Sequence, residues 1–124
     1  MSTLTKVLER NVAEIEKNAD MKEGRFRLGH HLMPPVGWLN DPNGLCWYKG
    51  KYHVFFQYAP FDVEGGLKFW GHYTSVDLVD WKYEGTALYP DSPYDCHGVY
   101  SGSALVEDEK MHLFFTGNVK IDGD

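Results

Sequence analysis

Apolar residues near the start of the chain recur at helical spacing. Leu4, Val7, Leu8, Val12 and Ile15 fall on one face, while Lys6, Glu9, Arg10, Glu14, Glu16 and Lys17 take the other. The spacing predicts a helix over residues 3–18, capped by Ser2 or Thr3 and ending near Asn18. Its apolar face calls for docking on the main fold or on a partner, with no catalytic role. Asp20 to Gly24 is polar and reads as a linker. Beyond Gly44 the pattern changes to short aromatic-rich runs separated by turns. Leu45–Tyr48 and Tyr52–Tyr58 flank Lys49-Gly50-Lys51 and predict a hairpin. Phe69 to Val76 reads as a third strand and Trp81 to Tyr83 as a short fourth at the edge. After a loop over Pro90 to Pro93, strands are expected at Val99 to Val106 and Met111 to Thr116, joined by a turn at Glu107 to Lys110.

The strand pattern repeats. Lys51-Tyr52-His53-Val54-Phe55-Phe56 returns as Lys110-Met111-His112-Leu113-Phe114-Phe115, 59 positions later. Each copy follows a strand and a turn, as expected of successive β-propeller blades. The first copy is preceded by Trp38-Leu39-Asn40-Asp41-Pro42-Asn43-Gly44. Asp41-Pro42-Asn43-Gly44 has favoured residues for a type I turn, which would present Asp41 at a strand end. With Asn40 beside it and Trp38 nearby, such a carboxylate could serve a polar, flat-faced ligand such as a sugar. Turn chemistry alone accounts for the same four residues equally well.

A wider set of motifs changes that balance. The run from His31 to Gly44 resembles the opening motif of the glycoside hydrolases that cleave β-fructofuranosides, among them invertases, sucrose-6-phosphate hydrolases and levanases. The resemblance continues through Phe55-Phe56-Gln57-Tyr58-Ala59-Pro60, Trp70-Gly71-His72, Tyr100-Ser101-Gly102-Ser103-Ala104 and Phe115-Thr116-Gly117-Asn118, in the family's order. It implies an all-β fold: the first one to two blades of a five-bladed β-propeller, preceded by an N-terminal α-helix. Residues 1–24 would be helix and linker, and residues 25–124 the N-terminal part of the catalytic propeller. A helical leader of this kind is similar to that of the family's intracellular bacterial members.

The resemblance also assigns roles. Asp41 occupies the place of the family's nucleophile. Asn40, Gln57 and Trp70 match residues that line the fructosyl subsite, and Ser101, after Tyr100, matches a sugar contact. Trp38 either walls the pocket or fixes the turn. Asp95 sits in a loop that favours Asp for its own reasons and is left out of the catalytic set. Retaining hydrolysis needs a second carboxyl group about 5–5.5 Å from the first. The family supplies it from a Glu-Cys motif that follows an Arg-Asp-Pro motif, and neither occurs in this sequence. Five blades at this spacing take roughly 300 residues, so the chain is expected to be part of a longer protein and inactive alone.

Composition narrows the partners. In 124 residues, 43% hydrophobic content with 15% aromatics describes a folded core. A formal net charge of −6 disfavours a nucleic-acid partner, though local cations can still hold one phosphate. Cys46 and Cys96 make neither a metal site nor a disulfide framework, and Cys46 reads as a small core residue. The six histidines lack metal-ligand spacing, and there is no phosphate-cradling glycine loop. No metal and no cofactor are expected. Without a secretory signal or an apolar span, the reading is cytoplasmic, and oligomerisation stays open. The expected activity is retaining hydrolysis of sucrose 6-phosphate or sucrose through a fructosyl intermediate on Asp41. The alternatives are a fructan hydrolase, a fructosyltransferase on the same scaffold, or a non-catalytic sugar-binding fragment.

Overall fold

The computed structural model describes residues 2–19 and 24–121, so most of the expected linker lies outside the described residues. The elements are α1 (Thr3–Asn18), β1 (Trp38–Tyr48), β2 (Lys51–Ala59), β3 (Phe69–Ser75), β4 (Lys82–Leu88), β5 (Val99–Glu107) and β6 (Lys110–Gly117). Strands β1 to β4 form one antiparallel sheet in sequence order, and β5 with β6 forms a second. The hairpin turns Lys49-Gly50 and Asp108-Glu109 have positive φ at both residues, as a two-residue type I′ connection requires. The Tyr48 hydroxyl donates to the Glu109 carbonyl at 2.9 Å and ties the two turns together.

β2 is buried on both faces from Val54 onward. Because side chains alternate along a strand, its residues serve two different cores. Phe56 and Tyr58 join Phe69, Tyr73 and Val12 of the helix in one cluster. Phe55 points the other way and packs with Trp70 and Val99, against Met111 and Leu113 of the second sheet. The helix is therefore part of the first blade. Ser2 caps it by accepting the Thr5 amide at 3.0 Å, and Val12 is almost fully buried. The Tyr58 and Tyr83 hydroxyls both donate to Glu16 Oε1, at 2.9 and 2.6 Å. Burial and the Glu16 charge push both phenol pKa values up, so these phenols stay protonated donors.

Three local expectations are corrected. Asp41-Pro42-Asn43-Gly44 does not reverse the chain: all four residues lie within β1, which stays paired with β2 through two register shifts. Asp41 (φ 43) and Gly44 (φ 58) take left-handed conformations where β1 carries extra residues against β2, so turn-forming residues build bulges here. Pro42 lacks an N–H for the ladder, and a bulge tolerates that loss. The fourth strand is longer than expected because Gly85 (φ 104) lies at a register shift and lets it continue to Leu88. Cys46 is only partly buried, and that burial raises its thiol pKa.

At the far end of β2, His53 Nδ1 lies 2.9 Å from His72 Nε2, and His53 Nε2 lies 3.1 Å from the Tyr48 carbonyl. The His72 ring stacks on Phe55 at 4.3 Å between centroids. Burial, and then the neighbouring His53, pull the His72 pKa down to about 4, with Glu84 opposing. His72 thus favours the fold in its neutral form. That contribution is complete above the ordinary histidine pKa and is lost as pH falls from about 6.5 toward 4. Unfolding titrations of wild type and His72→Gln across this window should show a loss, specific to wild type, on the order of 1–2 kcal/mol after allowance for partial exposure. Parallel pH profiles for the two proteins would contradict the assignment.

Candidate active site

The two bulged strands bring the candidate residues together. In β1, Asp41 is the extra residue between the pairs Asn40↔Gln57 and Pro42↔Phe56. In β5, Ser101 is the extra residue between Tyr100↔Thr116 and Gly102↔Phe115. The same irregularity occurs at the same place in both sheets. A residue inserted in this way is re-aimed out of the ladder, and the two side chains meet: Ser101 Oγ donates to Asp41 Oδ2 at a long 3.4 Å. Gly102 is required beside Ser101, because a Cβ there would stand 1.8 Å from the Phe114 carbonyl oxygen.

Around this contact lies a cleft of about 420 Å³ lined by Asn40, Asp41, Gln57, Lys68, Tyr100, Ser101 and Thr116. Asn40 Oδ1 accepts the Trp38 indole N–H at 2.7 Å, which leaves the Asn40 amide nitrogen to donate to a ligand. Gln57 is 3% exposed, and its Nε2 donates to the Val99 carbonyl at 2.8 Å, fixing the amide's orientation. Among the described residues, Asp41 is the one carboxylate in the lining. The other groups are neutral hydrogen-bonding side chains and the ammonium of Lys68. Such a set suits a polyhydroxylated ligand, with one anion placed for chemistry. A larger hollow of about 500 Å³ and a smaller one of about 310 Å³ lie near the Lys49 turn, away from Asp41.

Five of the seven residues singled out in the sequence line the cleft: Asn40, Asp41, Gln57, Tyr100 and Ser101. Trp38 is 38% exposed and borders the cleft through its bond to Asn40 and through the Lys68 ammonium, which lies over its ring. Trp70 is fully buried, so its ring offers no wall to a ligand. It packs between Phe55 and Phe115, and its Nε1 donates to the Tyr100 carbonyl at 3.1 Å. It holds the second blade's first strand at a set distance from the first blade. Asp95, left aside in the sequence, is buried in its own loop and accepts the Ser92 amide at 2.8 Å. Lys68 and Thr116 were not singled out. Thr116 was available from the repeat, which places it opposite Tyr100 as Gln57 stands opposite Asn40. No comparable signal marked Lys68.

Residues 31–124 match the profile of the glycosyl hydrolases family 32 N-terminal domain. The chain belongs to glycosyl hydrolase family 32. It is 52% identical over 108 residues to the sucrose-6-phosphate hydrolase of Bacillus subtilis, covering 86% of this chain and 22% of that protein. Among solved structures, the sucrose-6-phosphate hydrolase of Lactobacillus gasseri superposes with a TM-score of 0.79 at 40% identity, over 91% of this chain and 23% of the other. A mutant Bombyx mori family 32 β-fructofuranosidase in complex with sucrose gives a TM-score of 0.81 at 38% identity, over 99% of this chain and 25% of that one. The chain thus spans about a fifth of the length of the curated relative. The two sheets of this family 32 domain are the first blade and part of the second in a five-bladed β-propeller, with an N-terminal helix against the first. Among the described residues, no helix is long and apolar enough to cross a membrane.

If Trp70 sets the spacing between the blades, Trp70→Phe should lower stability by about 1–3 kcal/mol. It removes ring volume and strands the Tyr100 carbonyl. Chemical denaturation measures this, and a change below about 0.5 kcal/mol, the level of a neutral surface substitution, would contradict it.

Proposed function

We propose that this chain supplies the nucleophilic half of the active site of a retaining β-fructofuranosidase acting on sucrose 6-phosphate in the cytoplasm. The observation that carries the reading is Asp41, a lone carboxylate raised by a bulge into a cleft of neutral hydrogen-bonding side chains. The relative named a sucrose-6-phosphate hydrolase supports the phosphorylated substrate, and the neighbour in complex with sucrose supports a sugar ligand. Residues 25–124 would form the first part of the catalytic propeller, and residues 1–24 a helical leader with its linker.

In the first step, a carboxylate oxygen of Asp41 attacks the fructosyl anomeric carbon. The bond to the glucosyl oxygen breaks, and that oxygen takes a proton from a second carboxylic acid. Water then hydrolyses the fructosyl ester, giving net retention. The acid must be held protonated near neutrality by burial or by a neighbouring charge. Among the described residues no second carboxylate lines the cleft, so the acid would come from a part of the enzyme outside these 124 residues. Asn40, Gln57, Ser101 and Thr116 would hold the fructosyl hydroxyls, with Ser101 also steadying Asp41.

Asp41→Asn in the full-length enzyme tests the reading. Asn tolerates the left-handed backbone that Asp41 adopts, so the bulge should survive while the attacking oxygen is replaced by a neutral amide. The expected loss is at least about 10³-fold in kcat, or about 4 kcal/mol. A folded variant retaining more than about a tenth of wild-type kcat, a cost below about 1.4 kcal/mol, would exclude Asp41 as nucleophile.

A further inference from the structure

We infer that Lys68 recognises the substrate's phosphate, which makes it the residue that favours a phosphorylated sugar over the plain one. The inference rests on the proposed fructofuranosidase reading and adds a specificity determinant to it. Among the described residues, Lys68 is the one cationic side chain lining the Asp41 cleft. Among the described residues no carboxylate lies within 4.0 Å of its ammonium, the one such ion pair being Lys82–Glu84. The ammonium is nevertheless held in place. It lies over the Trp38 ring, 5.6 Å from the centroid, and next to Gly65, where a Cβ would come within 3.3 Å of Nζ. Gly65 has φ 116, which a side-chain-bearing residue rarely adopts, so the loop keeps this space open beside the cation.

The main chain at Lys68 is anchored as well. Its carbonyl accepts the Val99 amide at 2.9 Å, which ties the start of β3 to the start of β5, the strand that carries Tyr100 and Ser101. Lys68 is therefore fixed relative to both blades that build the cleft. Its ammonium is partly desolvated, which favours the neutral amine, while Asp62 and then Asp41 pull toward the charged form. A partly dehydrated ammonium, steadied by a ring face and lacking a close carboxylate, retains donors for a ligand anion. The cleft already holds the Asp41 carboxylate, which repels an approaching phosphate. A cation in the same lining offsets that repulsion, and charge-assisted contacts to phosphate are the stronger class of hydrogen bond.

The test compares full-length wild type with Lys68→Met and Lys68→Arg. Met keeps an unbranched stem of nearly the same length and leaves the backbone bond to Val99 in place while removing the ammonium. The readout is the ratio of kcat/KM for sucrose 6-phosphate to that for sucrose, together with Kd for glucose 6-phosphate and for glucose. Lys68→Met should lower the kinetic ratio at least tenfold and weaken glucose 6-phosphate binding at least tenfold. Lys68→Arg should keep most of both. Equal losses on both sugars would overturn the inference and make Lys68 a general support of the cleft. So would wild type binding glucose 6-phosphate no better than glucose. If wild type cleaves neither disaccharide but shows the Lys68-dependent preference for glucose 6-phosphate, the phosphate assignment stands and the hydrolase reading fails.

Discussion

One extra residue in the first strand of each blade is the constraint on which the site depends. A regular antiparallel strand sends alternate side chains to opposite faces of its sheet. Asp41 and Ser101 escape the alternation because each is inserted between paired positions. Asp41 takes a left-handed backbone, which Asp tolerates better than most residues. Two irregularities at the same place in neighbouring blades meet at a single point, the contact between the Ser101 hydroxyl and the Asp41 carboxylate.

That meeting requires the two sheets to hold a fixed separation, and the aromatic layer between them supplies it. Phe55, Trp70 and Phe115 pack in sequence across the gap, and Trp70 reaches over to bond the strand that carries Ser101. Gln57 does the same one pair further along, through the Val99 carbonyl. Gly71 is needed behind this layer, because a Cβ there would stand 2.2 Å from the Phe56 ring. The opposite face of the same sheet is closed by the helix, where Val12 and the Glu16 carboxylate meet Phe56, Tyr58 and Tyr83. The blade that carries Asp41 is thus braced on both sides, as precise placement of the proposed nucleophile demands.

Much of the fold was legible in the sequence because it follows from periodicity. The spacing of Leu4, Val7, Leu8, Val12 and Ile15 gave the helix at its observed bounds, and the return of Lys51–Phe56 at Lys110–Phe115 marked the same strand in successive blades. The bulge at Asp41 was not legible, since Asp-Pro-Asn-Gly suits a reversing turn on local grounds and only the pairing with β2 makes it a strand. Trp70 was expected at the sugar and lies in the core instead, because an aromatic residue in a strand does not reveal which face it takes. Lys68 reaches the cleft through a loop whose course depends on Gly65 and Val99, contacts that no local pattern encodes.

The proposed role of the β1 bulge is to present Asp41 as a nucleophile. Rapid acid quenching of the full-length enzyme during turnover, followed by peptide mass mapping, tests it most directly. The peptide containing Asp41 should be heavier by one anhydrofructosyl unit, with the ester on that side chain and the product released with retained anomeric configuration. An ester on any other side chain, or release of an inverted product, would contradict it.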